Sequence, residues 1–387
     1  AEVTVTMTSP APINSRGQEY WLTIPNNYSN SSTATLSVSA EQTTQVTVQV
    51  PGLSFSTTFN LSGGSNRDVN LPASTILTSQ ALESKGVYVT ADKPVSVYLV
   101  NFKQYETEGY LGIPVRSLGT SYRTLGYSLQ VVQPQPGSTW LGTIAIVAPE
   151  DGTSVTMTPR SGNSSTINLN KGQTYQWLQS TDVSGFQLSS TKPIAVFSGN
   201  SCANIPVGFG ACNQVMEQIP PTSSWGTEFV THPLASRRNG DTFRVLASQN
   251  DTTVAIGSTN VTLANAGDFY ETILTSASFI SANKPILVAQ YSHGTSYDRV
   301  MGDPFMMLVP ATNQYAPRYT LTTPASGIAS NFVNISIPTS ATSQLRVDGE
   351  AVTIAFTPVG SSGYSTASLP ISIGAHTFTT VDGTEFG

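Results

Sequence analysis

The chain has 387 residues, of which 39% are hydrophobic and only 10% are charged. This hydrophobic content suffices for a folded core and excludes global disorder, and no apolar run reaches the roughly 20 residues that a membrane helix needs. The 17 basic residues form no cluster and are outnumbered by 23 acidic ones, for a net charge of −6. Nucleic-acid binding is therefore excluded as the expected function, because it depends on neutralising phosphates.

Along the chain, the sequence predicts β-strands almost throughout. Typical stretches alternate β-branched and polar residues with a period of two, as in VTVTMT at 3–8, QVTVQV at 45–50, TSVTMT at 153–158 and TTVAI at 252–256. No long segment carries an apolar stripe with the 3.6-residue period of a helix. An all-β protein is the expected class.

A Lys-Pro element recurs three times, as ADKPVSVYLVN at 91–101, STKPIAVFSGN at 190–200 and ANKPILVAQYS at 282–292. A second shared element follows each copy, and an apolar strand with a turn and a Thr-rich strand precedes it. These elements define three repeats, at about 18–136, 137–236 and 237–329, and a half-repeat at 330–387.

Each full repeat divides into two similar halves, and each half matches a four-stranded antiparallel meander. An isolated meander buries only one face, so its neighbours must cover the other. Seven meanders stacked radially form a seven-bladed β-propeller, which is the predicted fold. The strand-like segment 1–17 is expected to pair into the last blade and close the ring, and 18–387 to form one cooperative domain. Tandem immunoglobulin-like β-sandwiches are the alternative.

The two cysteines, Cys202 and Cys212, indicate an extracellular protein. They lie ten residues apart across a turn rich in Pro and Gly, so the chain can fold back and join them in a disulfide. Free thiols or a metal site are the alternatives, but the three histidines are scattered along the chain. Disulfides persist in secreted proteins, and a start without Met or an apolar leader is typical of a mature secreted chain. We expect no metal and no cofactor.

Motifs that could support catalysis are weak. The segment SHGTSYD contains His293 with Ser296 and Asp298, but triad members normally come from distant parts of a chain, so a turn is the preferred interpretation. Glu106 and Glu108 share a strand face, as the acids of a glycosidase do. Nothing local raises the pKa of either, which favours a solvated loop edge. The chain is predicted not to be an enzyme.

Four segments together resemble a known family. They are SCANIPVGFGACNQVMEQIPP at 201–221, MGDPFMMLVP at 301–310, YLGIPVRSLGTSY at 110–122 and LRVDGE at 345–350. They are similar to the N-terminal domain of the IgG Fc-binding protein family, and the resemblance extends over roughly 17–387. It implies a non-catalytic extracellular binding or structural module of mucus, adhesive or surface layers. No motif marks a residue that contacts Fc.

The loops after the three Lys-Pro strands are the predicted ligand-facing surface. These loops, at 101–110, 200–214 and 291–303, vary most among the repeats, and equivalent positions in a ring lie on one rim. Tyr combines apolar area with a hydroxyl group, which suits both sugars and protein surfaces. The candidate ligand-contact residues are Lys103, Tyr105, Tyr110, His293, Tyr297 and Arg299.

The predicted function is a non-catalytic extracellular binding or adhesion module that recognises a glycan or glycoprotein of a mucus, matrix or cell-surface layer. No nucleic acid and no membrane insertion is expected, and the oligomeric state stays open. A structural spacer of a surface protein and, less favoured, a polysaccharide-active enzyme are the alternatives. Because charged residues are few, binding should depend only weakly on salt.

Overall fold

The computed structural model describes residues 15–27, 32–103, 106–129, 140–323 and 330–387, so most of the predicted strand at 1–17 lies outside it. Antiparallel sheets dominate the described residues, which confirms the all-β class. The one α-helix found there is a single turn, α1 (Thr295–Asp298). The short 3-10 segments are Pro51–Leu53, Ala73–Thr75, Val115–Ser117, Thr222–Ser224, Thr312–Gln314 and Thr339–Gln344.

The first sheet is built around one strand of 17 residues. In chain order, the strands of this part are β1 (Gly17–Leu22), β2 (Thr33–Ala40), β3 (Thr44–Val50), β4 (Phe55–Leu61), β5 (Ser65–Asn70), β6 (Leu82–Glu83), β7 (Val87–Lys103) and β8 (Glu106–Leu111). They pair in the order β4-β3-β7-β2-β5, and β1 and β8 also pair with β7. The short β6 pairs in the second sheet.

The second and third sheets repeat this plan around their own long strands. The second contains β9 (Gly119–Arg123), β10 (Gly142–Val147), β11 (Thr153–Thr158), β12 (Ser165–Leu169), β13 (Thr174–Gln179), β14 (Gln187–Ala203) and β15 (Asn213–Ile219). The third contains β16 (Gly226–Thr231), β17 (Asp241–Ala247), β18 (Thr252–Ile256), β19 (Thr259–Leu263), β20 (Phe269–Leu274), β21 (Ser278–Tyr291) and β22 (Met306–Leu308). Their long strands are β14 and β21.

The rest of the chain forms two smaller sheets. Their strands are β23 (Arg318–Thr322), β24 (Asn331–Pro338), β25 (Leu345–Val347), β26 (Glu350–Ala351), β27 (Thr357–Pro358), β28 (Tyr364–Ile371) and β29 (Ala375–Thr380). One sheet has the order β23-β29-β25-β26, and the other has the order β24-β28-β27.

Each Lys-Pro element lies inside a long strand, at the point where its pairing partners change. In β7 the residues before Lys93 pair with β1 and β3, whereas those after Pro94 pair with β2 and β8. The same change occurs around Pro193 in β14 and Pro285 in β21. Proline has no backbone N–H and therefore interrupts the hydrogen bonds between paired strands. It suits a point where the strand bends and changes its pairing partners. Each sheet therefore curls at its Lys-Pro corner.

The structure does not confirm a seven-bladed propeller, and immunoglobulin-like sandwiches are not shown either. In a meander, consecutive strands pair with each other, but β17 and β18 are both paired to β21, which lies between them. The long strand thus belongs to both halves of a repeat, so the halves do not form separate blades.

The hydrophobic cores connect the first three sheets in sequence. Ala195 and Phe197 of β14 belong to the core of the first sheet, and Leu287 and Tyr291 of β21 belong to the core of the second. The two small sheets have a core of their own, built on Ile335, Ile337, Ala341, Leu345, Phe378 and Phe386. Burial therefore couples the first three sheets more closely to one another than to the last two.

Candidate functional site

The loops that follow the three long strands meet in space. We call residues 101–110, 200–214 and 291–303 the three-loop cluster. The Asn213 side-chain amide donates hydrogen bonds to the Thr107 carbonyl at 3.0 Å and to the Pro304 carbonyl at 2.8 Å, which joins all three repeats. The Gly294 amide donates to the Ile205 carbonyl at 2.9 Å. The three loops therefore lie close together, as predicted. They surround a junction of curled sheets, however, and not the rim of a ring.

A disulfide between Cys202 and Cys212 closes the middle loop, as predicted. Their Cα atoms lie 5.2 Å apart, and Cys202 is buried at the end of β14. Glu106 Oε1 lies 3.4 Å from Cys202 Sγ. The three side chains are close enough to suggest a metal site, but the disulfide uses both sulfurs and leaves only one ligand group.

Two of the candidate ligand-contact residues are buried, which argues against their direct contact with a ligand. Tyr110 is 5% exposed, donates its hydroxyl to the Thr23 carbonyl at 2.6 Å and packs against Phe197. His293 is fully buried. Neither side chain reaches a ligand on the surface.

The other candidates are placed differently. Lys103 is half-buried at the end of β7, Tyr297 is half-buried in α1, and Arg299 is exposed just after it. Tyr105 lies outside the described residues. Of the five candidates that the structure describes, Lys103, Tyr297 and Arg299 are at least partly exposed.

His293 supports the loop 291–303 from inside. Its Nε2 lies 2.9 Å from the Thr242 hydroxyl, and its Nδ1 lies 3.5 Å from Asp298 Oδ1. Burial and the nearby Arg237 lower the pKa of His293 to about 4, so the ring is neutral at physiological pH. The hydroxyl beside the imidazole is that of Thr242, 1% exposed, and not that of Ser296. A buried hydroxyl cannot serve as a nucleophile for an external substrate.

The His293 ring also packs against the aromatic side chains of the three-loop cluster. Its centroid is 4.7 Å from that of Tyr297 in an edge-to-face contact, and Tyr297 makes the same contact with Phe209 at 4.7 Å. Edge-to-face aromatic pairs are favourable and orient both rings. A rigid row therefore runs from the buried His293 to the exposed Phe209.

Each loop of the cluster presents one large exposed apolar side chain. Phe102 is 53% exposed, Phe209 is 39% exposed and Met301 is 98% exposed. Sequence reasoning missed these three residues because it favoured tyrosines and charged groups.

Glu106 and Glu108 are buried, so the interpretation as a solvated loop edge is wrong. They are 7% and 4% exposed, because the alternation of β8 turns both toward the junction of the repeats. Burial, with a smaller contribution from Asp303, raises the pKa of Glu106 to about 8 against the opposing effect of Lys103. Burial also raises the pKa of Glu108 well above its usual range.

We expect the raised pKa of Glu106 to make the protein less stable as pH rises. The folded state retains a proton that the unfolded state loses at about pH 4.5, so stability falls between about pH 4.5 and about pH 8. Glu106→Gln cannot lose this proton, so it should lack the part of the loss in stability that Glu106 causes. At about pH 8.5 its free energy of unfolding should exceed that of the wild type by about 3–5 kcal/mol. Urea denaturation at both ends of this range measures the difference.

The exposed Glu350 offers a matched control for Glu106→Gln. Glu350→Gln should leave the pH dependence of unfolding unchanged. If the free energy of unfolding changes equally with pH in the wild type and in Glu106→Gln, Glu106 is not the group that carries the proton.

Two solved structures overlap with the chain at low scores. One is described as "Structural insight into host cell surface retention of a 1.5-MDa bacterial ice-binding adhesin"; it is 13% identical, with a TM-score of 0.13 over 74% of this chain and 93% of that one. The other, an alpha-L-rhamnosidase of Streptomyces avermitilis complexed with L-rhamnose, is 10% identical, with a TM-score of 0.17 over 82% of this chain and 45% of that one. Likenesses this slight support no argument about fold or function.

The sequence comparisons are decisive about the family. A family model described as "IgGFc binding protein" matches residues 108–387. The IgGFc-binding protein of Homo sapiens is 30% identical over an alignment of 301 positions that covers 73% of this chain and 5% of that protein. This chain therefore spans a small part of that relative. These matches confirm the resemblance found in the four segments, and the chain belongs to the IgG Fc-binding protein family.

Proposed function

We propose that this chain is a non-catalytic extracellular binding module that attaches to a glycoprotein or glycan of a mucus, matrix or cell-surface layer. The observation that carries the proposal is the three-loop cluster, where each repeat exposes one large apolar side chain and where Phe209 packs against Tyr297. Aromatic residues, Met and Arg are enriched in binding interfaces. Apolar groups held at the surface of a rigid scaffold are typical of binding sites.

One further observation supports this proposal. The disulfide in the middle loop suits an extracellular location. In the described part of the chain no helix is both long enough and apolar enough to cross a membrane. The human relative is named for IgG Fc, which makes Fc the first protein partner to test.

The test replaces Phe102, Phe209 and Met301 together by Ser. We expect attachment to fall at least about tenfold, because apolar anchors at an interface centre carry much of the binding energy. Attachment is measured by surface plasmon resonance on immobilised IgG Fc and on a mucin glycoprotein. Attachment should change little between low salt and about 0.5 M salt, because screening affects mainly charged contacts.

The small C-terminal sheets and their flanking turns provide the control. Phe332, Ile373 and Val381 are similarly exposed, at 42%, 55% and 65%, and lie outside the cluster. The triple Ser variant at these positions should bind like the wild type. If both triple variants attach equally well, the cluster is not the binding surface. If the wild type attaches to neither target nor to its native matrix, a structural spacer becomes the better function.

A further inference from the structure

A cavity of about 610 Å³ lies where the three repeats meet the end of the chain. The ends of β8, β15 and β22, which occupy equivalent places in the three curled sheets, form part of its wall, and β23 and the last residues of the chain form another. We call it the central cavity. Its size falls within the range of pockets that hold small organic molecules.

The wall of the central cavity is rich in aromatic side chains. Trp225 and Phe229, both nearly fully buried, line it together with Tyr98, Tyr315 and Tyr319. The indole N–H of Trp225 is bonded within the protein, to the Pro220 carbonyl at 3.1 Å. These rings offer apolar contact and, through their electron-rich faces, attraction for a cation.

One acid in this wall has no basic partner. Glu217 of β15 lines the cavity, and among the described residues no Lys, Arg or His forms an ion pair with it or with the neighbouring Glu108. The two arginines of the wall, Arg16 and Arg318, are both paired with Glu41. Glu217 is half-buried, and an acid that is withdrawn from water without a counter-charge is costly in its ionised form.

We propose that the central cavity binds an organic amine, with an apolar body against the aromatic wall and its ammonium group against Glu217. The inference is independent of the binding function assigned to the three-loop cluster. An ammonium ion supplies the counter-charge that the protein lacks at Glu217, and the aromatic wall suits the rest of such a molecule.

The proposal implies that a proton leaves when the amine binds. Burial raises the pKa of Glu217 well above its usual range, which favours the neutral acid before an amine binds. Binding of an ammonium ion requires the carboxylate, so affinity should rise about tenfold per pH unit while the free acid stays protonated. The other titratable or charged groups that face Glu217 or share the wall are Glu108, Tyr110, Tyr98, Tyr315, Tyr319, Arg16, Arg318 and Glu385.

Monodansylcadaverine, a primary ammonium ion on an apolar fluorescent body, is a suitable probe. We expect saturable binding with enhanced, blue-shifted fluorescence, and affinity that increases from about pH 6 to about pH 8. The N-acetylated form of the same molecule has no charge and should bind at least about tenfold more weakly. Equal binding of the two forms would overturn the proposal, because the cavity would then take neutral molecules.

Variants separate the contribution of the Glu217 charge from that of the volume of the central cavity. Glu217→Gln preserves the shape and should lower the affinity for the amine at least about tenfold without changing that for the acetylated form. Leu308→Trp fills part of the cavity and should weaken both. Glu228→Gln, on the exposed face of β16, should change neither.

Three outcomes count against the proposal. If Leu308→Trp binds the probe as tightly as the wild type, the probe binds elsewhere on the protein. If Glu217→Gln binds the amine with unchanged affinity, Glu217 does not contact the ammonium group. Binding that appears only after deletion of residues 1–14, which precede Ser15 and Arg16 of the wall, would identify that segment of the chain as the natural occupant.

Discussion

Replacement of Arg244 by Met is expected to destabilise the protein by about 3 kcal/mol. Arg244 of β17 is 3% exposed and donates hydrogen bonds to Glu271 at 2.7 Å within its own sheet. It also donates to Asp182 at 2.7 Å, to Ser184 at 2.8 Å and to the Gly126 carbonyl at 2.9 Å, all in the part of the chain that forms the second sheet. The variant therefore removes most of a polar connection between two sheets.

Aromatic rings add to the effect of this arginine. The guanidinium carbon of Arg244 lies 4.4 Å from the ring centre of Tyr127 and 4.5 Å from that of Phe269. The two acids are 24% and 36% exposed, so water can solvate them after the substitution. The expected loss is therefore at the lower end of the range for a broken buried ion pair.

Chemical denaturation of Arg244→Met and Arg244→Lys checks this prediction. Lys keeps the charge but not the planar, multiple donors of Arg, so its effect should be intermediate. Arg67→Met is the matched control, because Arg67 is exposed and also lies over an aromatic ring, 4.5 Å from the centre of Phe59. It should cost less than about 1 kcal/mol. Equal costs at the two positions would contradict the assigned role.

Deletion of residues 330–387 is expected to leave the first three sheets folded. The small sheets have their own core, and apart from the segment 315–323, which loses its partners β29 and Phe386 in this deletion, few bonds join them to the third sheet. They include His232 Nδ1 to the Thr366 hydroxyl at 2.9 Å and the Asn334 amide to the Pro233 carbonyl at 3.2 Å. We therefore propose that 1–329 forms a unit of its own, in place of the single cooperative domain expected of a closed ring.

Size-exclusion chromatography and calorimetry test the deletion. The fragment 1–329 should be monomeric and lose one unfolding transition while retaining the others. The fragment 1–225 is the contrasting control, because it removes Leu287 and Tyr291 from a core that the second sheet shares with the third. It should aggregate, since that core is exposed. Aggregation of 1–329 as well would support the single cooperative domain.

Several features were accessible to sequence reasoning because their causes are local. Alternation in QVTVQV predicts a half-buried strand, and β3 has this alternation of buried and more exposed side chains. The Pro- and Gly-bearing turn between Cys202 and Cys212 allows the disulfide without reference to the rest of the chain. The recurrence of the Lys-Pro element likewise predicted three loops in equivalent positions.

The continuity of the long strands was not accessible in this way. A proline inside a strand-like segment usually indicates a boundary or an edge. At Pro94, Pro193 and Pro285 the chain instead continues as a strand and changes partners. Whether such a proline ends a strand or marks a corner depends on the strands of the same sheet that pair with the chain on either side of it. The strands that pair on either side of each proline are distant in sequence. Sequence patterns therefore did not show that one long strand joins the two halves of a repeat, and they favoured a propeller.

The sequence by itself therefore determined the strand-rich class, the repeats, the disulfide and the family. The tertiary structure decided which faces of those strands are covered. Glu106, Glu108 and Tyr110 lie on one face of β8, and alternation predicts that they share it, but not that two other repeats bury it. His293 is buried in the same way, by contacts with β17 and α1. Burial depends on the packing of whole sheets, and this packing is set by contacts between residues far apart in the chain.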